Sequence, residues 1–373
     1  MSTATVERAV AGLAESISRT DDEMRLFGEA SERLQRLVPF DGAAWFATDP
    51  ATLLATIPAR IENVEDGHCE SFWEREYRVE DANLFRDLAR TEGGAATLFA
   101  ATDDHPARSA RYREFLAPQG YGDELRAVFR TGDSTWGVVD LFRERSRTPF
   151  SPVEVGLVRR VAPILAGALR TLVTTARVLA DAAAGEGPGT ALFDRAGNLV
   201  SLDDRAQRLF VELAGPRWSL APLSMTPVRA VVAKAVSVDQ GRERGPSSAR
   251  LRAGSGRWLS VHASCLHGPD GTPGLTALTI EPAKSAQIAP IIVEAYGLTT
   301  REQEITRAVA RGLSNPEIAE ELYLSPHTVR DHLKAVFAKV GVGSRGELVA
   351  KLFAEHYRPA LHLPDAAVEH VTH

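Results

Sequence analysis

Arg330 and Lys334 stand four residues apart in the stretch LSPHTVRDHLKAVFAKVGV, residues 324–342, with Asp331 between them. On an α-helix this spacing projects both cations from one face. Such a face suits the edges of nucleic-acid bases, because arginine donates bidentately to guanine O6 and N7 and a carboxylate accepts from cytosine N4. Asp331 fits that second role, or equally serves to orient Arg330. Thr328, His332, Lys339 and Arg345 are types that meet phosphate oxygens, contacts that set register and carry no sequence information. For His332, packing against a neighbouring helix is the alternative.

Other candidate chemistries lack partners. In HASCLH, residues 262–267, a strand would turn His262 away from Cys265 and His267, leaving two ligands where a metal site needs more. His68 and Cys69 form a similar lone pair. The acidic pairs Asp21-Asp22 and Asp103-Asp104 sit in polar, loop-like contexts, unlike a phosphoacceptor aspartate at the end of an apolar strand. No GxGxxG or P-loop occurs, and neither cysteine has the surroundings of a chromophore attachment site. No nucleophile, base and orienting group fall together, so the expectation is a protein that is not an enzyme and holds no metal or cofactor.

The elements that would position Arg330 follow from local rules. Ser325 caps a helix with Pro326 in its first turn, and Val329, Leu333, Val336 and Val340 give it one apolar face. Before it, LTTREQEITRAVARG reads as a helix capped by Thr299 or Thr300, and NPEIAEELYL as a helix capped by Asn315. A fourth helix starts at Ser344. Two short helices around a tight turn, the second exposing basic residues, make a helix-turn-helix pattern. Within residues 326–345 the cations Arg330, Lys334, Lys339 and Arg345 face only Asp331, whereas glutamates outnumber lysine and arginine in the rest of 298–357. The whole chain has a net charge of −6, so any duplex-binding field must be this local patch.

Residues 298–353 resemble the C-terminal domain of LuxR-type (NarL-, FixJ- or GerE-type) transcriptional regulators. The matching residues are LTxRE at 298–302, Ala310, GLSNxEIA at 312–319, Leu322, SPxTV at 325–329, His332, Lys339, Gly341 and SRxEL at 344–348. Ala335 and Val340 replace a frequent asparagine and leucine. The resemblance implies an all-α, four-helix DNA-binding domain, here 295–357. It further implies a homodimer on double-stranded DNA, a cytoplasmic location, and RNA polymerase as a further partner.

Upstream, residues 5–36 read as two helices broken at SRTDD, FDGAAWF as a strand, and 126–144 as a hairpin around a Gly-Asp-Ser turn. The stretch 61–120 reads as helices and loops without a clear period. Residues 150–184 predict a helix with a Ser151/Glu154 capping box and a proline, Pro163, that should kink or divide it. Val158, Ala162, Leu165, Leu169, Leu172, Ala176 and Leu179 fall at coiled-coil spacing. They form either a dimer seam or the buried face of a helix in its own domain. After AGEGPG come strand, turn, strand, a helix ending at Gly215, a helical stretch at 226–238 and three strands. These two α+β segments resemble a GAF domain (1–183 with its flanking helices) and a PAS-type domain (187–283). The first rests on the 126–144 hairpin and the FSPxExxLVRRVAPILA helix, the second on LFDRAGNLV and the strand meander. Both families are sensory or dimerising modules, which implies an unidentified small-molecule signal. Phe40, Trp45, Phe46, Trp73, Phe85 and Trp136 are candidates for a pocket lining or for ordinary core. With 373 residues, 44% apolar and 25% charged, the chain can hold three such domains, and no apolar run is long enough to span a membrane.

Overall fold

The computed structural model describes residues 3–64, 72–175, 187–216, 218 and 225–351. Two helices open the chain, α1 (Thr3–Ile17) and α2 (Glu23–Gln35), the second capped by Asp22, whose carboxylate accepts from Arg25 N. A first antiparallel sheet follows, built from β1 (Gly42–Thr48), β2 (Ala55–Glu62), β3 (Ala95–Thr97), β4 (Tyr121–Thr131) and β5 (Ser134–Glu144) in the order β2-β1-β5-β4-β3. The short helices α3 (Phe72–Arg78), α4 (Phe85–Leu88) and α5 (Leu98–Ala101) lie between β2 and β4 in the chain, and α6 (Pro152–Thr175) closes the domain.

The expected hairpin is the β4–β5 pair, turning at Gly132 with φ +60°. The 61–120 stretch holds the end of β2 and all of β3 besides its helices. The Ser151/Glu154 box is present, with Ser151 N donating to a Glu154 carboxylate oxygen at 2.7 Å. Pro163 does not divide α6, which runs through it as one helix. Val158, Ala162, Leu165, Leu169 and Leu172 are buried within the chain, so the stripe packs on its own domain that far. Ala176 and Leu179, like His68 and Cys69, lie outside the described residues.

A second antiparallel sheet contains β6 (Gly189–Phe193), β7 (Leu199–Leu202), β8 (Ser248–Arg252), β9 (Trp258–His267) and β10 (Pro273–Pro282), in the order β7-β6-β10-β9-β8. Its helices are α7 (Asp204–Ala214), capped by Asp203, and α8 (Thr226–Asp239). The sequence predicts the end of α7 at Gly215, and the helix ends there. The two sheet domains share one apolar core, running from Phe46, Phe72, Trp73 and Tyr77 to Val228, Val231 and Val232 of α8. Asp49 at the end of β1 accepts from Arg250 N at 2.9 Å and Arg250 Nε at 2.7 Å, which satisfies an edge-strand N–H of β8. Ser237 Oγ donates to Tyr77 O at 2.7 Å, and Arg86 pairs with Glu243 at 2.7 Å.

The first sheet carries a buried ionic network on the face beneath α3 and α4. Arg126 on β4, 1% exposed, reaches Glu76 of α3 at 2.9 Å, Asp140 of β5 at 3.0 Å and Asn83 O at 3.0 Å. Its guanidinium lies 3.9 Å from the Phe85 ring centroid. Arg111 grips Glu124 with two donors, at 2.8 and 2.6 Å. Two arginines thus face three carboxyls. Burial raises Asp140 well above the usual carboxylate range, and the Glu124 carboxylate pushes it the same way. Burial also acts on Glu124, but the two arginines overrule it and hold Glu124 low. The two neighbouring carboxyls are thus driven apart, Asp140 upward and Glu124 downward, by burial and by the two arginines.

Phe40, Trp45, Phe46, Trp73, Phe85 and Trp136 are all core, each 3% exposed or less. They divide between two sides of the sheet: Trp45 packs with Phe27 of α2, whereas Phe46 packs with Phe72 and Trp73 of α3.

The C-terminal unit is helical: α9 (Ser285–Ala295), α10 (Thr300–Ala310), α11 (Asn315–Glu321), α12 (Pro326–Val340) and α13 (Arg345–Val349). Thr299 and Glu302 form the capping box of α10. The cap of α11 is Ser314, boxed with Glu317, one residue before the expected Asn315. Ser325 and Ser344 cap α12 and α13 as the sequence predicts. Ile305, Ala308, Val309, Ile318, Ala319, Val329, Leu333, Val336, Val340 and Leu348 are buried in this unit. Among the described residues no helix is long and apolar enough to cross a membrane.

Candidate nucleic-acid interface

The apolar row of α12 fixes which way its polar residues point. Val329, Leu333, Val336 and Val340 are buried, which leaves Arg330, Asp331 and Lys334 exposed on the opposite side. The first turn is held by Ser325 Oγ, which accepts from Thr328 N at 3.0 Å and lies 2.9 Å from Thr328 Oγ1. Asp331 Oδ2 is 3.1 Å from His327 Nδ1, and Asp331 Oδ1 is 3.6 Å from Lys334 Nζ. Asp331 is thus tied to His327 and Lys334. Arg330 has no side-chain partner among the described residues and presents its full set of donors outward. His332 is half-buried beside Leu333. His327 joins the face through an i,i+4 pairing that its spacing from Asp331 would have revealed.

Lys339 and Arg345, expected at phosphates, both have partners within the helical unit. Lys339 Nζ pairs with Glu302 Oε2 at 2.6 Å and donates to Gly297 O at 3.3 Å. Arg345 donates to Asn315 Oδ1 at 3.2 Å and to Leu313 O. These bonds tie the end of α12 to the start of α10, and the start of α13 to the approach of α11. Burial would raise the Glu302 carboxyl, but Lys339 and the Thr299 N–H together hold it below the usual 4.5. Replacing Lys339 by alanine is expected to destabilise the helical unit by about 1 kcal/mol. The slope of log affinity against log salt should stay nearly unchanged, since Glu302 already neutralises this charge. A slope one unit smaller would return Lys339 to the phosphates. Because the folded value of Glu302 lies below its unfolded value, its contribution is full above pH 4.5 and is lost as pH falls through the folded value. Acid unfolding followed by circular dichroism should show that loss, and Glu302→Gln should remove it.

The turn between α11 and α12 holds Tyr323 at φ +54°. Leu324 N–H donates to Ala319 O at 2.8 Å and Tyr323 N–H to Glu320 O at 3.4 Å, the hydrogen-bond pair of a helix end that favours glycine at the left-handed position. A tyrosine there costs roughly 1 kcal/mol relative to glycine. Its side chain is 95% exposed. Among the described residues no cluster of histidine, cysteine and carboxylates could hold a metal ion, and Cys265 is a free thiol 3.5 Å from Thr276 Oγ1.

Residues 297–352 match the family model "Bacterial regulatory proteins, luxR family". The "Probable transcriptional regulatory protein NarL" of Mycobacterium tuberculosis is 38% identical over 68 residues, 18% of this chain and 29% of that protein. The "Monoamine regulon transcriptional regulator" of Klebsiella aerogenes is 42% identical over 66 residues, 18% and 29% of the two chains. The "Putative HTH-type transcriptional regulator Rv0890c" of Mycobacterium tuberculosis is 50% identical over 52 residues, 14% of this chain and 6% of that protein. The matches therefore span less than a third of these relatives. Among solved structures, Escherichia coli SdiA is 12% identical, with 93% of this chain and 96% of that one covered, at a TM-score of 0.32. The phage VqmA–DPO complex is 17% identical, covering 54% and 93%, at a TM-score of 0.26. The helical domain that presents Arg330 is of the luxR family.

Proposed function

We propose that this chain, which ends in a luxR-family helix-turn-helix domain, is a sequence-specific, double-stranded-DNA-binding transcriptional regulator. The observation that carries this reading is the outward face of α12, where Arg330 keeps its donors unspent on a helix seated by a buried apolar row. Arg330 reads guanine in the major groove, with Asp331 and Lys334 beside it, while Thr328 and His332 meet phosphates. Lys339 and Arg345 hold the helices in register through Glu302, Gly297 O, Asn315 and Leu313 O.

The front unit supplies the signal in this proposal. Residues 1–183 act as a GAF-like module and 187–283 as a PAS-like module, which sense a small molecule or pair two copies of the chain. The domain at 295–357 then binds a two-fold site as a cytoplasmic homodimer and acts on RNA polymerase there. Each module is a five-stranded antiparallel sheet with helices, which is consistent with both resemblances. A signal would shift the dimer between competent and incompetent spacings of the two α12 helices.

A second reading has a specific observation in its favour. Every aromatic candidate for a pocket is buried, Phe46, Trp73 and Phe85 of them in the core that the two sheet domains share, which suits protein-interaction modules with constitutive DNA binding. Selection from a random duplex library with the full-length chain tests the DNA proposal: a two-fold symmetric consensus is expected, and a library that stays unenriched would defeat it. A thermal-shift screen against metabolites separates the two readings, because a ligand that binds the folded state must raise the melting temperature.

A further inference from the structure

Three helix ends in the C-terminal unit close with the same backbone turn, and they differ in the residue placed there. α10 ends at Gly312, φ +87°, with Leu313 N–H on Ala308 O at 3.2 Å. α12 ends at Gly341, φ +70°, with Val342 N–H on Phe337 O at 3.0 Å. α11 ends in the corresponding way, but on Tyr323 at φ +54°. The backbone demand is the same in all three, and glycine meets it at the first two. At the third the chain carries a large aromatic side chain that is 95% exposed, with no side-chain partner among the described residues. The residue strains its turn and packs on nothing in its own unit. An outlier of this kind points to a role outside the fold.

We propose that Tyr323 is a DNA-backbone contact, its ring against a deoxyribose and its hydroxyl donating to a phosphate oxygen at the edge of the groove that α12 enters. This inference rests on the DNA-binding reading. In a helix-turn-helix the N-terminal residues of the second helix meet the base edges. The turn leading into that helix therefore stands at the rim of the groove, where the phosphates are. Tyr323 lies two residues before Ser325, the cap of α12, and Ser325 and Thr328 form the adjacent hydroxyl-bearing turn. A tyrosine hydroxyl is a fit donor for phosphate oxygen, and such contacts set position and not sequence. Because tyrosine is neutral, the contact releases no counterion, which separates it experimentally from any lysine or arginine contact.

The test uses the full-length chain with two probes: a duplex recovered by selection with the wild-type protein, and an unrelated duplex of equal length. Tyr323→Phe removes one hydrogen bond and should weaken binding about 3–10-fold on both duplexes, with the salt slope unchanged. Tyr323→Gly should weaken binding at least as much while raising the melting temperature of the helical unit by roughly 4–8 °C, because glycine relieves the turn. Weaker binding by a more stable protein cannot be ascribed to misfolding. Arg330→Ala serves as the reference, losing discrimination between the probes. If both Tyr323 variants bind like wild type while Arg330→Ala loses discrimination, the inference is overturned and Tyr323 faces a protein partner or solvent. A wild-type chain that binds neither duplex would sink the inference together with the reading beneath it.

Discussion

Replacing Arg126 by alanine is expected to cost the front unit about 3–5 kcal/mol, a large part of the roughly 5–15 kcal/mol that holds an ordinary domain together. The figure follows from what is left behind. Arg126 is 1% exposed and serves Glu76, Asp140 and Asn83 O at once, bridging α3 to the two longest strands of the first sheet. Without it, Glu76 and Asp140 lose their main counterion in a site that burial already makes hostile to negative charge. Both carboxyls are raised even in the intact network, burial acting first and the arginines opposing it. In the variant they rise further, so their folded values stand above their unfolded ones. The variant's deficit should therefore shrink as pH is lowered toward the usual glutamate value of 4.5 and grow as pH rises. Urea unfolding at pH 5 and pH 7.5 reads both effects. Arg126→Lys should fall between wild type and alanine, because an ammonium keeps the charge and loses the planar fork over Phe85. A deficit under 1 kcal/mol for Arg126→Ala would mean that the network does not hold α3 against the sheet. Since α3 shares its core with α8, loss of the network should unfold both sheet domains in one transition.

Replacing Arg330 by alanine should leave stability within about 0.5 kcal/mol of wild type, since the side chain is exposed and touches no partner among the described residues. Its effect falls on DNA. Loss of a bidentate arginine–guanine contact should cost about 1–3 kcal/mol on the preferred duplex, and much less on an unrelated one. The Lys339→Ala variant should show the reverse profile, with lower stability and intact discrimination, because its ammonium is held by Glu302. Comparing these two variants separates a reading residue from one that builds the frame.

What could be read from the sequence was what local rules decide. The caps at Ser151, Ser325 and Ser344 need only a hydroxyl at the right offset, and the structure has each of them. The α11 cap slipped by one because Ser314 and Asn315 are both good capping residues, and the Glu317 box decided for serine. β2 alternates apolar and polar residues but carries Pro58 at its centre, which argues against a strand, and β3 has three residues, too few for a periodic signal. The stripe on α6 looked the same for a dimer seam as for a buried face, because burial imposes one pattern whichever chain supplies the cover.

Charges were the least legible feature. Lys339 finds its carboxylate 37 residues away in sequence, and Arg126 finds Glu76 50 residues away, separations at which no spacing rule operates. Without those partners a cation reads as solvent-facing or phosphate-facing. Tyr323 was overlooked for a related reason, since only the backbone angle reveals that the residue stands where glycine belongs.

The central claim, that Arg330 reads guanine from the exposed face of α12, is tested most directly by single-atom substitution in DNA. Each guanine of a selected duplex is replaced in turn by 7-deazaguanine, which lacks the N7 acceptor, and affinities of wild type and Arg330→Ala are compared. The account predicts one guanine per half-site at which the analogue weakens wild type by about tenfold and leaves Arg330→Ala unaffected. Equal losses for both proteins at every guanine, or a wild type indifferent to all of them, would contradict it.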